Sequence, residues 1–277
     1  FACCSYGKAS LLLAASRKHE SFESFTGKSF KNDNVLPTYG LTYKPVDNMA
    51  VYYGHTESFS RGLVVSGNDY TNNGETMDPV KSKQNEFGVK YQNAGVMTTL
   101  SYFDIDEANR YDINADGGMK TKVDDGKNRY KGVELTVNGK LADKWTVTGG
   151  LIYLDAEREK TKNGTKDGCF VNGVSEWSGV LGLEYNPEES WGIVGRAVWN
   201  DKAYIDSGSN SGKTEIPSYV TFDLGVNYKT KINTVPVKLS AMCYNVADKD
   251  YWMGRGSSTT IGLSMPRTFM LSAQFDI

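Results

Sequence analysis

The final stretch of the chain, PRTFMLSAQFDI, alternates strictly. Phe269, Leu271, Ala273, Phe275 and Ile277 fall on one face, and Thr268, Met270, Ser272, Gln274 and Asp276 on the other. A period of two predicts a strand lying between two environments. Regularity of this kind, without a polar flexible end, predicts pairing along the strand's whole length. The same split recurs in TFDLGVNY, where Phe222, Leu224, Val226 and Tyr228 oppose Thr221, Asp223, Gly225 and Asn227. It recurs again in WTVTGGLIY, WGIVGRAVW and VKLSAMC. Strand-like segments are predicted over about 10–22, 36–44, 49–59, 83–92, 96–105, 128–140, 144–157, 175–186, 190–203, 218–229, 235–246 and 267–277, about twelve in all.

The connections between these segments alternate in length. PVDN, QNAG, LADK, NPEES and KTKINT are short and built from turn-forming residues. Between them run long polar stretches such as SRGLVVSGNDYTNNGETMDPVKS, DEANRYDINADGGMKTKVDDG, REKTKNGTKDGCFVNG, YIDSGSNSGKTEI and ADKDYWMGRGSSTTIGLSM. Short turns at one end and long loops at the other are the pattern of an outer-membrane β-barrel.

Charge placement fits a wall with one face in lipid. Glu86, Lys90, Glu134, Glu184, Arg196, Asp223, Lys238 and Asp276 all lie opposite the apolar face of their own strands. A soluble β-sandwich would exclude charge from its core as well. Aromatic placement separates the two, because Tyr43, Tyr91, Trp145, Tyr185, Trp191 and Tyr228 each stand beside a short turn, in phase with the apolar face. A bilayer interface gathers aromatics in such a girdle, and a sandwich has no reason to.

Composition changes this picture little. Lys+Arg 31 against Asp+Glu 33, without a basic tract, argues against a nucleic-acid partner. The mean hydropathy of -0.47 and the lack of a long apolar window exclude a spanning helix. They do not exclude a barrel, whose strands alternate. Cys3, Cys4, Cys169 and Cys243 form neither a disulfide framework nor a metal pattern, and His19 and His55 are too few for a histidine site. DINADG, from Asp112 to Gly117, opens like a calcium loop, but Val123 stands where the twelfth-position carboxylate belongs. No metal or cofactor is expected. A lipase would need a serine oriented by His55 or His19; Glu57 shares a face with His55, and no nucleophile can be named, so the chain is not expected to be an enzyme.

Several stretches resemble the C-terminal barrel region of TonB-dependent outer-membrane receptors, in particular the ferric-siderophore branch. LPTYGLTYKPVDNMAVYYGHTESF is similar to that family's strand, turn and strand ending in Ser-Phe, and SKQNEFGVKY follows in place. NRYKGVELTVNGKLADKWTVTGGLIYLDAE resembles its Gly-Val-Glu-Leu strand and the next hairpin. NVADKDYW and PRTFMLSAQFDI resemble the last two strands, with Ala247 where Phe is usual and Ile277 in place of a final Phe.

The resemblance implies an all-β, transmembrane antiparallel β-barrel segment covering residues 1–277, the C-terminal half of a barrel of about 22 strands, with no plug domain. The opening Phe1 and the absence of a signal peptide (SLLLAAS is too short) lead to the expectation of an N-terminally truncated chain. The implied function is uptake of an iron-siderophore complex at the bacterial outer membrane. Its partners would be the ligand, the TonB complex through the missing plug, the lipid bilayer and the barrel assembly machinery. A passive pore or secretion translocator without TonB coupling is the alternative. Phe269, Leu271, Phe275 and Ile277 would form the assembly signal. Ligand contacts are expected from aromatic and basic loop residues: Arg110, Tyr111, Phe170, Tyr204, Tyr251, Trp252 and Arg255.

Overall fold

The computed structural model describes residues 2–23, 29–206, 213–254 and 261–276. Thirteen strands hydrogen-bond side by side in sequence order. They are β1 (Ala2–Tyr6), β2 (Ala9–Glu23), β3 (Ser29–Val46), β4 (Met49–Ser60), β5 (Val80–Asn93), β6 (Val96–Asn114), β7 (Lys120–Ala142), β8 (Trp145–Lys160), β9 (Trp177–Glu188), β10 (Trp191–Asn200), β11 (Tyr219–Ile232), β12 (Val235–Tyr244) and β13 (Thr268–Phe275). The sheet is an antiparallel meander, in which each strand pairs with the one before it.

Two-residue turns join the strands at one end: Gly7–Lys8, Asp47–Asn48, Ala94–Gly95, Asp143–Lys144, Glu189–Ser190 and Asn233–Thr234. At Ala94 and Gly95 both φ values are positive, 45° and 86°, which matches the right-handed twist of a hairpin. At the other end the connections after β4, β8, β10 and β12 are long.

The expected strands are present, and one expectation is corrected. Among the described residues the meander holds the twelve expected strands and one more, ACCSY, which pairs with β2 as β1. DEANRYDINADGGMKTKVDDG is not a loop: β6 runs on to Asn114 and β7 begins at Lys120, so only a 3-10 turn at Asp116–Gly118 and its flanks lie between them. Strand there carries polar residues on both faces, so alternation cannot reveal it.

The chain divides into two compact units, Phe1–Val89 with Ser101–Gly132 and Asp155–Val171, and Lys90–Leu100 with Val133–Leu154 and Asn172–Ile277. In the first unit, Leu11, Leu13, Leu41, Tyr43 and Phe87 are exposed on one face. On the other face the Tyr52 hydroxyl donates to Glu86, close over Gly88, where a Cβ would strike the Tyr52 ring. The loop after β4 folds around buried Val65 and Met77, with Val65 N donating to Glu75 O (2.8 Å). It is tied to the start of β7 by Thr71 N to Lys120 O (2.7 Å) and Lys120 N to Asp69 O (2.7 Å).

In the second unit the two faces are sharply different. Phe222 is 52% exposed and its neighbour Asp223 only 4%, so the apolar side chains are the uncovered ones. A groove of about 490 Å³ on that apolar face lies among Leu135, Val147, Gly149, Leu151, Leu181 and Trp199, where small residues leave a notch. Burying apolar side chains is the main force of folding in water. An exposed apolar wall of this extent therefore requires an apolar surrounding.

Candidate functional site: the loop end of the strands

Aromatic side chains mark both ends of the apolar face in the second unit. Near the turns, Trp145 pairs with Tyr185 across β8 and β9, their rings 4.6 Å apart, and Trp191 pairs with Tyr228 across β10 and β11. Tyr91 is exposed beside its turn. In the first unit, Tyr43 is exposed and pairs with Ala9. Eight positions along from Trp145 and Tyr185, Tyr153 pairs with Trp177, ring centroids 5.0 Å apart. This second row was missed in the sequence because it neighbours long connections rather than turns; the spacing of aromatics within one face was the available signal.

Beyond the aromatic rows, the expected loop residues fall into two groups. In the first unit, Arg110 on β6 donates from Nη1 to Arg61 O (3.1 Å) and from Nη2 to Asp78 O (2.6 Å). Two of its donors thus clamp the loop after β4, a commitment that sequence cannot display. The Tyr111 hydroxyl donates to Asp125 Oδ1 (2.8 Å), and that carboxylate pushes the phenol pKa up. Phe170 lies in the short strand Cys169–Phe170, paired with Glu157 and Arg158 of β8. Asp112, the first residue of the DINADG stretch, accepts from Lys122 Nζ (2.6 Å) and the Tyr70 hydroxyl (2.8 Å). Burial pushes Asp112 up, but those two donors outweigh it and hold the carboxyl below its ordinary value. It serves as an ion-pair partner, and among the described residues no group of three or more His, Cys, Asp and Glu could hold a metal.

In the second unit, Tyr204 and Tyr251 occupy two excursions that meet at one point. The hairpin Ala203–Asp206 with Lys213–Ile216 packs around buried Ala203, Ile205 and Ile216. Tyr204 lies between two cations, Lys202 Nζ at 5.7 Å and Lys213 Nζ at 5.5 Å from its ring. The second hairpin is Trp252–Gly254 with Ile261–Leu263. Gly173 N donates to Tyr204 O (2.8 Å), and the Gly254 backbone lies so close to Gly173 that any Cβ at 254 would strike it. Only glycine fits such an approach.

Tyr251 stacks on Tyr219 at the start of β11, ring centroids 3.9 Å apart and 19° between planes. The Tyr219 hydroxyl accepts from Asn200 Nδ2 (2.9 Å). Trp252 is exposed. Arg255 lies outside the described residues, as does Ile277; Phe269, Leu271 and Phe275 are exposed on the apolar face of β13. Sequence reasoning missed Tyr219, Lys202 and Lys213, which bring an aromatic stack and two cations to the same loop end.

His55 presents an alternative centre and fails as one. Its ring stacks on Tyr39 (4.6 Å, 15°), Nδ1 lies 2.8 Å from Asn85 Oδ1, and Nε2 lies 3.6 Å from Glu57 Oε1. Both ring nitrogens face groups other than a hydroxyl, so no serine is activated here. The four cysteines are free thiols.

A model of the family "TonB dependent receptor-like, beta-barrel" matches residues 6–246. The ferrichrome receptor FcuA of Yersinia enterocolitica is 26% identical over 97% of this chain and 36% of its own length. The probable TonB-dependent siderophore receptor PiuA of Acinetobacter baumannii is 28% identical over 88% of this chain and 34% of its own. The crystal structure of BauA, the ferric preacinetobactin receptor of Acinetobacter baumannii, superposes with a TM-score of 0.80 at 29% identity, covering 98% of this chain and 40% of that one. The chain thus spans little more than a third of the length of these relatives, and with a two-faced antiparallel wall, short turns and long loops, it belongs to the TonB dependent receptor-like beta-barrel family.

Proposed function

We propose that the chain is a wall segment of an outer-membrane receptor that takes up a ferric siderophore complex with energy supplied through TonB. Family membership makes it a receptor-barrel segment and not an enzyme. The relatives FcuA and BauA are named as receptors for ferrichrome and ferric preacinetobactin, and the proposal extends that ligand class to this chain. The observation that carries the reading is the exposed apolar wall that ends at a loop cluster of stacked tyrosines and lysines.

In this reading the apolar face meets lipid. Tyr43, Tyr91, Trp145, Tyr185, Trp191 and Tyr228 form the girdle on the turn side, and Tyr153 with Trp177 belongs to its counterpart. The second row adds weight because a rise of about 3.3 Å per residue places it about 26 Å along the strand. Strand tilt reduces that to roughly 20 Å, a little under the apolar band of about 25 Å in such barrels. Tyr204, Tyr251 and Trp252, with Tyr219, Lys202 and Lys213, face the ligand. Aromatic rings cover its flat or apolar surfaces, and the lysines attract its anionic oxygens. Arg110 acts at one remove by holding the loop after β4. Phe269, Leu271 and Phe275 on β13 supply the apolar row read by the assembly machinery. In this reading the plug and the TonB contact lie outside this chain, which spans little more than a third of FcuA and PiuA.

The test is uptake of radiolabelled iron by an iron-starved bacterium lacking its own siderophore receptors and expressing the complete gene. Uptake of at least one ferric siderophore that vanishes on deletion of tonB is the expected result. Equal uptake with and without tonB would replace this reading by a passive pore.

A further inference from the structure

Asp223 is buried on the charged face of β11, yet its two oxygens serve different masters. Oδ2 accepts both Nε (2.7 Å) and Nη2 (2.6 Å) of Arg196 on β10. That leaves Oδ1 turned to the backbone amide of Asn245, which donates to it at 2.8 Å. With only 4% of the residue exposed, neither oxygen can fall back on bulk water.

Asn245 begins the excursion between β12 and β13 and holds a left-handed backbone, φ 50°, that asparagine tolerates better than most residues. Its side chain ties the excursion's two ends together. Nδ2 donates to Lys249 O (3.0 Å) and to Met265 O (3.1 Å), and Oδ1 accepts from Lys249 N (3.0 Å). Both amide hydrogens are used, and the residue is buried. Above this knot the excursion continues as Tyr251 N to Ser264 Oγ (3.2 Å) and Ser264 N to Tyr251 O (2.9 Å). Tyr251 then lies on Tyr219.

We propose that Arg196, Asp223 and Asn245 are positioning residues that act in series: the wall ion pair aims one carboxylate oxygen, that oxygen fixes Asn245, and Asn245 fixes the strap that carries Tyr251. The inference rests on the ligand-facing reading of Tyr251 given above. Its consequence is that the geometry of the Tyr219–Tyr251 stack is set from the charged face of the wall, where half of the Arg196 side chain is exposed. An anionic group arriving on that face would compete with Asp223 for the guanidinium and loosen the stack.

The experiment is hydrogen–deuterium exchange at the Tyr251 and Ser264 amides of the detergent-folded protein. Neither amide bonds to Asn245, and no ligand is needed. Asn245→Gly keeps the left-handed backbone accessible and removes only the side chain. It is expected to speed exchange at both amides by about 10- to 100-fold, the effect of losing two or three hydrogen bonds that hold a local unit. Asp223→Ala is expected to act in the same direction, and the double variant to exchange no faster than the faster single one. The pair Arg196→Gln with Asp223→Asn can rebuild a neutral relay and restore protection.

Unchanged exchange in Asn245→Gly, which leaves the wall pair intact, overturns the proposal, as do independent, additive effects in the double variant. Amides of β10 and β11 report whether Asp223→Ala still folds; if it does not, Asn245→Gly and the neutral pair decide alone. Failure here leaves the uptake reading standing, and failure of TonB-dependent uptake leaves the relay standing.

Discussion

Arg196 and Asp223 face each other across β10 and β11, as Arg129 and Asp104 do across β6 and β7, and the contact lengths are nearly the same: 2.6 and 2.7 Å in the first pair, 2.6 and 2.9 Å in the second. Their surroundings are opposite. Asp223 lies on the polar face of its strand, and its side chain is 6% exposed. Asp104 follows exposed Leu100 and Tyr102 at the same period of two, so it continues the apolar face of β6. Around it Lys127 reaches Asp106 (2.9 Å) and Glu159 (3.0 Å), and Lys160 reaches Asp125 (2.7 Å). The face is apolar at Tyr102 and an ion-pair lattice two positions later. On the proposed lipid-facing reading, the second pair lies where the hydrocarbon would end, and the first lies on the opposite, polar face of the wall.

The sharpest way to break this contrast is to put a charge where the wall forbids one. Leu224→Arg, on the exposed apolar face of β11, is expected to destabilise the protein in lipid vesicles by about 2 to 4 kcal/mol. Denaturant titration of the vesicle-inserted protein measures it, and a change below 1 kcal/mol would mean that this face does not meet lipid.

Next is the removal of one partner from the enclosed pair. Arg196→Met leaves the Asp223 carboxylate buried without its cation and is expected to cost about 2 to 3 kcal/mol by the same titration. That lies below the full penalty of a buried pair because the guanidinium is half open to water. The matching change at the other pair, Arg129→Met, is expected to cost less than about 1 kcal/mol, since both partners are partly exposed and screened. Equal losses at the two sites would erase the distinction between them.

The smallest expected effect is pH-dependent and belongs to the extension beyond the wall. Burial opposes both charges of the Asp112–Lys122 pair, yet their contact prevails. It holds Asp112 below 3.8 with help from the Tyr70 hydroxyl, and Lys122 above 10.5. A depressed carboxyl contributes stability above its unfolded pKa and loses it as pH falls through the folded value. A raised ammonium contributes below its unfolded pKa and loses that contribution as pH rises through the folded one. Asp112→Asn is therefore expected to lower the melting temperature by about 1 to 2 °C at pH 7. The difference from the parent should begin to fade as pH falls below 3.8, vanish once pH passes the lower folded value of Asp112, and on the alkaline side begin to fade only above pH 10.5. A difference unchanged at acid pH would show that the ion pair is not its source.

The same contrast explains what could be read from sequence. Along TFDLGVNY or WGIVGRAVW each residue reports its environment by being apolar or polar, so strand, face and partner follow from a period of two. From Asp106 onward on β6, and up to Gly126 on β7, polar residues stand on both faces and alternation has nothing to report; these stretches read as a loop and are strand. The short β1 escaped for lack of length. Tyr204, Tyr251 and Trp252, expected in long connections, lie in the excursions after β10 and β12. Their partners were not legible, because Tyr219 reaches Tyr251 and Lys213 reaches Tyr204 only through folded excursions. Arg110 is a basic residue in a polar stretch, and sequence could not show that two of its donors go to Arg61 O and Asp78 O.

The eight positions separating Trp145 from Tyr153, and Tyr185 from Trp177 opposite them, carry a mechanical consequence. Allowing for tilt, the wall offers roughly 20 Å of apolar height on these strands, less than the 30 Å or so of an ordinary hydrocarbon core. On the proposed lipid-facing reading, a surrounding bilayer would have to compress toward the strands, an elastic deformation whose penalty grows with acyl-chain length. Insertion of this wall is then expected to favour short-chain lipids, so that lipid length becomes a quantity that the protein selects as well as one that it tolerates.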